Sequence, residues 1–379
     1  MAKRTREQKW LIRRGVWVGL GVGAYAVHLW LGRDSSLAEK FYSRGIYAAI
    51  RLIWDHTLGF SPIPLLYIVV PAAILFWTVY RIVRFFSRRP RPSISWGLKI
   101  GRTLLRAASA IGGVVFLFYF LWGFNYNRIG FERQLKLALE PLNPAALAAE
   151  IGWATRKAVE ARASIPGSSD AALEPRFYPQ DLESMLRTSL KGLLENLDYP
   201  AAGRVRIRLF QPAGWMMRFS GSGIFNPFLG EGYIAGDLLP FEIPFTMAHE
   251  MVHGYGICEE GDANFLAFLT CASSADPAVR YSGFLSYWSY VFAETGRLAL
   301  QSINTIRELI PEGMKADLRA EAENWRRYQG SLSCIGEKIN HQYLKSQGIR
   351  EGIRSYDRLV LLVAAWKNAH GGEVRRSPE

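Results

Sequence analysis

Three long apolar segments dominate the first third of the chain and predict membrane-spanning helices. They are residues 15–32, 63–80 and 107–124. Each is close to the length that a helix needs to cross a bilayer. The second contains Pro71, which membrane helices tolerate. The pattern therefore predicts a membrane domain over residues 1–128, with the lipid bilayer as its partner.

The remaining residues, 129–379, show the pattern of a mostly helical domain with a small sheet. Apolar positions recur at three- and four-residue spacing over most of residues 129–200, as in amphipathic helices. The stretch "RVRIRLF", Arg204 to Phe210, alternates polar and apolar residues like a strand. A segment rich in glycine and proline, residues 221–246, predicts further strands and turns, and more helical patterns follow. The predicted fold class is α+β.

The distribution of charge supports a membrane protein and argues against nucleic-acid binding. The chain has a net charge of +13, but residues 1–128 hold 19 Lys/Arg against 4 Asp/Glu, and the rest holds 27 against 29. The excess is concentrated before the first apolar segment and between the second and third, which predicts that both regions are cytoplasmic. No small-residue cleavage site follows the first segment cleanly, so we expect a retained anchor and not a signal peptide. Three spans then place residues 129–379 outside the cytoplasmic membrane.

The three cysteines indicate neither a disulfide framework nor a cysteine-based metal site. Cys258, Cys271 and Cys334 are too few for such a framework and form no C-x-x-C pair. We expect three buried thiols, although one pair could form in an oxidising compartment.

The candidate chemistry lies in "PFTMAHEMVHGYG", which contains the motif H-E-x-x-H. His249 and His253 are four residues apart, so in a helix they lie on one face and can bind one ion. Glu250 lies beside that ion without binding it, where it can act as a general base on a water molecule. This arrangement is typical of zinc peptidases and predicts Zn2+ as the cofactor.

The flanks of the motif predict a helix that is followed by a sharp turn. Pro244 and Thr246 stand before the expected helix, with Thr246 as a candidate N-cap. Gly254 and Gly256 follow directly and allow the chain to turn. A third ligand from the next segment can then reach the ion.

Three acidic residues are candidates for this third ligand. Glu259 stands where the third histidine falls in the extended pattern H-E-x-x-H-x-x-G-x-x-H. Glu260 opens the form E-x-x-A-N, in which Asn264 shares its helical face and can orient a ligand histidine. Asp262 has a shorter side chain and needs a closer backbone. The spacing favours Glu260 and leaves Glu259 and Asp262 open.

The sequence resembles domain-of-unknown-function family 3810, an uncharacterised family of bacterial membrane proteins. The resemblance rests on "WGFNYNR", "GIFNPFLGEGYI", "PFTMAHEMVHGYG", "EEGDANFLAF" and "YLKSQGIREGIRSYDRLVLL" and covers nearly the whole chain. The outer domain of that family looks like a zincin of the gluzincin type. The family pattern places its two acids on Glu260 and Asp262 and its asparagine on Asn264, and the chain departs from it by having Asp at 262. The resemblance implies a bacterial inner-membrane location and a gluzincin-like domain over residues 129–379.

The resemblance also implies a residue that stabilises the oxyanion of a tetrahedral intermediate. Peptidases of this class use a Tyr, His or Arg for this purpose. Tyr343, Tyr356 and His341 lie in or beside the last matching segment and are the candidates.

We therefore expect a membrane-anchored zinc metallopeptidase that hydrolyses extracytoplasmic peptides or proteins. The alternative is a membrane-anchored, non-catalytic binding or scaffold protein that retains a zinc site. An intramembrane protease is disfavoured, because the flanks of the motif do not form an apolar run of about 20 residues.

Overall fold

The computed structural model of the protein describes residues 5–87, 95–297, 306, 308, 310–349 and 358–371. The chain divides into two compact units. The first comprises residues 1–128 and 227–229, and the second comprises residues 129–226 and 230–379.

The first unit is helical. Its elements are α1 (Arg6–Leu31), α2 (Ser35–Leu37), a π-helix (Ala38–Ile46), α3 (Tyr47–Thr57), α4 (Leu66–Phe86), α5 (Trp96–Leu121) and a 3-10 helix (Gly123–Asn127).

Among the described residues of the first unit, two helices, α4 and α5, are by themselves long and apolar enough to cross a membrane. The prediction of three spans is therefore supported for the second and third segments, whereas the first is not clearly a span. Helix α1 qualifies only together with the segment Ser35–Thr57, from which it is bent by 114°. The physical reason is composition: α1 begins within the basic N-terminal run, and its apolar part is diluted by several glycines and His28.

Helices α1 and α5 pack closely through glycines. A Cβ at Gly21 would lie 2.5 Å from Cα of Gly112, so the two backbones are in direct contact. Small residues at such crossings are typical of helix pairs in membranes, because they allow close van der Waals contact. A buried hydrogen bond joins His28 Nδ1 and Asn127 Nδ2, which are 2.8 Å apart.

The second unit is mostly helical, with a small sheet. Its α-helices are α6 (Phe131–Gln134), α7 (Pro144–Ala163), α8 (Leu182–Asn196), α9 (Ile243–Gly254), α10 (Glu260–Ala272), α11 (Pro277–Arg297), α12 (Glu312–Arg326), α13 (Ser331–Ser346) and α14 (Arg358–Ala369); its strands are β1 (Arg206–Phe210), β2 (Gly223–Asn226) and β3 (Glu231–Ala235).

The sheet has the order β1-β3-β2, with β1 parallel and β2 antiparallel to β3. Arg206 pairs with Glu231 across the first interface, and Gly223 pairs with Ile234 across the second. The predicted strand "RVRIRLF" thus corresponds to β1. A mostly helical unit with one small sheet is consistent with the α+β class.

The two helices that carry the motif and the acidic segment lie in the centre of the second unit. All described residues of α10 and all but Ile243 of α9 are buried. Helices that are apolar on every side are typical of a protein interior. Around them, buried ion pairs join distant helices, such as Lys367 with Glu150 at 2.8 Å and Arg162 with Asp317 at 2.8 Å. The polar groups of the motif are therefore held in a packed environment.

The three cysteines, all within the described residues, form no disulfide with one another. Cys258 and Cys271 are buried, as expected, but Cys334 on α13 is exposed. The prediction of three buried thiols is wrong at Cys334, because α13 buries only Ser333 and Leu344 and leaves the rest of its surface in contact with solvent or half-covered.

Candidate metal centre

The motif lies on α9, where the two histidines face each other as their spacing requires. Their Nε2 atoms are 3.0 Å apart, and their rings are nearly perpendicular, with centroids 4.6 Å apart. Helix α9 begins at Ile243, directly after a 3-10 turn at Pro240–Glu242. Thr246 is therefore inside the helix and not its N-cap, contrary to the expectation from sequence.

The turn after α9 returns the chain toward the two histidines. Gly256 has φ of 85°, a left-handed conformation that glycine adopts without a steric penalty. The carbonyl oxygen of Ile257 then lies 2.7 Å from Nδ1 of His253. Because a carbonyl oxygen only accepts, this contact places a proton on Nδ1 of His253 and leaves Nε2 to bind a ligand.

His249 is held in a matching way. Its Nδ1 lies 2.8 Å from Oδ1 of Asn264 on α10, and Nδ2 of Asn264 donates to the hydroxyl oxygen of Tyr290 at 3.1 Å. Each Nδ1 atom is thus hydrogen-bonded to an acceptor oxygen. The two Nε2 atoms point toward each other and can share one ligand.

Glu260 completes a group of three. Its Oε2 lies 3.2 Å from Nε2 of His249 and 3.2 Å from Nε2 of His253. One donor atom from each residue lies within 4.8 Å of the others, and all three side chains are buried. This group could hold a metal ion.

The other two acidic candidates point elsewhere. Glu259 is the N-cap of α10, and its Oε2 accepts a hydrogen bond from the backbone N–H of Asp262 at 2.6 Å. Asp262 accepts from the backbone N–H of Phe131 at 3.0 Å. Arg358 of α14 lies 3.4 Å from Oε1 of Glu259 and also pairs with Glu132. Both side chains therefore anchor the start of α10 to neighbouring segments.

Within the three-residue group, His253 and Glu260 strongly shift each other's pKa. Burial alone would raise the pKa of Glu260, but the two histidines hold that pKa well below its usual range. Burial alone would lower the pKa of His253, but the Glu260 carboxylate and its hydrogen bonds raise that pKa to about 9. Without a metal, a proton on His253 therefore balances the charge of Glu260.

Glu250 is buried beside this group but does not belong to it. Within the part of the chain that the structure describes, its Oε2 has no hydrogen-bond partner. Burial raises the pKa of Glu250 to about 7, and the nearby His249 and His253 only partly oppose this. A buried carboxyl oxygen without a partner is costly to maintain, and such groups are common where a protein binds or transforms a ligand.

The donor set is suitable for zinc. Two imidazole nitrogens and one carboxylate oxygen are the ligands found in catalytic zinc sites with three protein ligands, which leave a fourth position open. The two Nδ1 contacts fix the ring orientations, as is usual for metal-binding histidines. Oε2 of Glu250, which has no hydrogen-bond partner in the described chain, is a polar group that a water molecule at the open position could satisfy.

The three candidates for oxyanion stabilisation remain predictions. His341 and Tyr343 lie half-buried on α13. That helix packs on the 3-10 turn Met217–Phe219, where a Cβ at Gly336 would meet the backbone of Phe219. Tyr356 lies outside the described residues.

Several residues of the site were not predicted from the sequence. Tyr290, Arg358 and the Ile257 carbonyl group all contact the predicted residues. Ile257 acts through its backbone, and no residue type marks such a role. Tyr290 and Arg358 come from helices that are distant in sequence, so only the packing of these helices reveals them.

Comparison with known proteins adds one finding. Residues 42–364 match the model of a family described as protein of unknown function (DUF3810). No curated protein and no solved structure matches the chain.

Proposed function

The chain belongs to the DUF3810 family, whose function is unknown, and we propose from its side chains that it is a membrane-anchored zinc peptidase acting on extracytoplasmic peptides or proteins. The observation that carries the proposal is the buried group of His249, His253 and Glu260, with Glu250 beside it and outside it.

Each residue has a distinct part in the proposed reaction. His249, His253 and Glu260 would hold the zinc ion. When bound, zinc supplies Lewis-acid chemistry that lowers the pKa of a water molecule and polarises the substrate carbonyl group. Glu250 takes the proton from the attacking water and later delivers it to the leaving amine. In the metal-free protein, burial raises the pKa of this carboxyl group to about 7, and a carboxyl group whose pKa is raised toward neutrality suits proton transfer in both directions.

The sheet offers a place for an extended substrate. Strand β2 is at the edge of the sheet in the part of the chain that the structure describes, and it pairs only with β3 there. A peptide that adds to such an edge gains main-chain hydrogen bonds with little demand on side-chain sequence. Since Gly223 at the start of β2 is next to the Glu250 side chain, a peptide on this edge would pass the proposed base.

A non-catalytic scaffold with a zinc site is less well supported. Structural zinc sites are usually closed by four protein ligands, whereas three are grouped here in the described residues. A scaffold also has no use for a buried carboxyl group whose Oε2 has no hydrogen-bond partner among the described residues.

The proposed location rests on the apolar helices and on the distribution of Lys and Arg. Helices α4 and α5 each have the length and composition of a span. The basic residues before α1 and between α4 and α5 favour the cytoplasmic side. In this proposal α1 is counted as the first of three spans, and the second unit then lies outside the bacterial cytoplasmic membrane.

The full-length protein, purified in detergent, tests the proposal. We expect about one zinc per chain by elemental analysis and cleavage of some members of a diverse peptide mixture, detected by mass spectrometry. Glu250→Gln should retain the zinc and lose cleavage. Glu242→Gln is a matched control, because Glu242 is another carboxyl group at the start of α9, bonded to Leu239 and Trp325 and not to the metal group. Full cleavage by Glu250→Gln, or a folded protein that binds no supplied zinc, would refute the proposal.

A further inference from the structure

The Glu250 side chain lies in a slot between two glycines of neighbouring strands. A Cβ at Gly223 of β2 would lie 2.7 Å from Cγ and 2.8 Å from Cδ of Glu250. A Cβ at Gly232 of β3 would lie 3.2 Å from Cβ of Glu250. The carboxyl group is thus next to the edge strand β2, and Cβ of Glu250 is next to the central strand β3.

Backbone conformation does not explain these glycines. Gly223 and Gly232 lie in strands, and neither is among the glycines with positive φ. Glycine weakens a strand interior, because it adds conformational entropy to the unfolded chain and has no side chain to pack. Here it provides room for the Glu250 side chain.

The carboxyl group of Glu250 lies against the backbone of Gly223. Its Oε2 is buried and has no hydrogen-bond partner among the residues that the structure describes, so no polar contact with them fixes that oxygen. The geometry points to Gly223 as the positioning residue for Glu250: the bare backbone at the start of β2 lets the carboxyl group lie beside the three metal-binding residues. The consequence for catalysis rests on the proposed peptidase function.

Gly223 is a better site for a test than Gly232. The three atoms nearest to a Cβ at 223 all belong to the Glu250 side chain, whose end can swing away. A Cβ at 232 would also meet Cδ1 of Ile207 at 2.5 Å and disturb the core. Gly221→Ala is a matched control, since a Cβ there would find its nearest atom, the Met216 carbonyl oxygen, at an ordinary 3.6 Å.

The first experiment measures steric coupling by thermal unfolding of the full-length protein without zinc. Gly223→Ala should lower the melting temperature in the chain that has Glu250. In the Glu250→Ala chain the new methyl group enters vacated space, so the same substitution should leave the melting temperature unchanged or raise it. Gly221→Ala should have the same effect in both backgrounds. If Gly223→Ala lowered the melting temperature equally in both backgrounds, the inference would be overturned.

The second experiment measures catalysis with zinc bound. Gly223→Ala should keep the zinc content of the unsubstituted chain and lose on the order of 10²-fold in kcat, the scale of a misplaced general base, with little change in KM. Unchanged kcat would overturn the positioning role. The unfolding data could show coupling between Gly223 and Glu250 while the unsubstituted chain hydrolyses no peptide. That result would establish the contact between the two residues and refute the peptidase proposal instead.

Discussion

Asn264 accepts a hydrogen bond from the ring of His249, with 2.8 Å between Oδ1 and Nδ1. Because the amide nitrogen of Asn264 donates to Tyr290, its oxygen is the atom that faces the histidine. This contact places the ring proton on Nδ1 and directs Nε2 of His249 toward Glu260.

Removing this contact should weaken zinc binding. We expect Asn264→Ala to lose about 10–100-fold in zinc affinity, as is usual when the partner of a metal-binding histidine is removed. Asn264→Asp keeps an acceptor oxygen and should lose less. Competition with a chelator of known affinity measures both. Equal affinity of Asn264→Ala and the unsubstituted protein would mean that the orientation of His249 does not depend on Asn264.

Substitutions at the two neighbouring acids should separate binding from stability. Glu260→Ala should abolish stoichiometric zinc binding, because it removes one of three donors. Glu259→Ala should retain zinc and lose about 1 kcal/mol of stability, the usual cost of losing an N-cap. Elemental analysis and thermal unfolding of the two variants make the comparison. Zinc loss in Glu259→Ala alone would assign the third ligand to that residue.

Local spacing explains which parts of the site the sequence could predict. His249 and His253 meet because residues four apart share a helical face, and the same rule brings Glu260 and Asn264 to one side of α10. The turn at Gly256 was indicated by residue type, since glycine tolerates the left-handed conformation.

The remaining features depend on packing that no local pattern encodes. Tyr290 and Arg358 come to the site on α11 and α14. Gly223 is one of two glycines in "GSG", and only the position of α9 against the sheet shows which one meets Glu250. The start of α9 was placed too late, because a 3-10 turn precedes it and Thr246 is buried inside the helix.

Zinc affinity should rise with pH up to about pH 9. Burial alone would lower the pKa of His253, but Glu260 raises it to about 9, so the metal-free protein binds a proton there at neutral pH. This proton must leave before Nε2 can bind the metal. Below pH 9 the affinity should therefore increase by up to about tenfold per pH unit, and above it the increase should stop.

Chelator competition at several pH values, corrected for the titration of the chelator, measures this slope. The Glu260→Gln variant lacks the carboxylate that raises the pKa of His253. This variant should bind zinc more weakly, and its zinc affinity should stop rising at a lower pH. A flat profile between pH 6.5 and 8.5 in the unsubstituted protein would show that His253 is already neutral.

The contact between α1 and α5 should depend on its glycines. Gly112→Leu inserts a side chain where even a Cβ would lie 3.0 Å from Cα of Val18, so the helices must separate. We expect overpacking to lower the free energy of unfolding by about 1–3 kcal/mol or more, which is measured as a lower melting temperature in detergent. Gly19→Leu is the matched control, because a Cβ at Gly19 would have no neighbour within 4 Å in the part of the chain that the structure describes. Equal effects of the two substitutions would argue against this packing.

The proposed topology places the exposed thiol of Cys334 outside the cytoplasm. Cys258 and Cys271 are buried, so Cys334 is the cysteine that a water-soluble maleimide should reach in the folded protein. A membrane-impermeant maleimide should label the protein in intact spheroplasts, and Cys334→Ser should abolish this labelling. The expected result follows from the proposed topology, in which α1 is a span and the basic segments before α1 and between α4 and α5 favour the cytoplasmic side. Labelling only after the cells are lysed would place the second unit in the cytoplasm and would mean that two helices, and not three, cross the membrane.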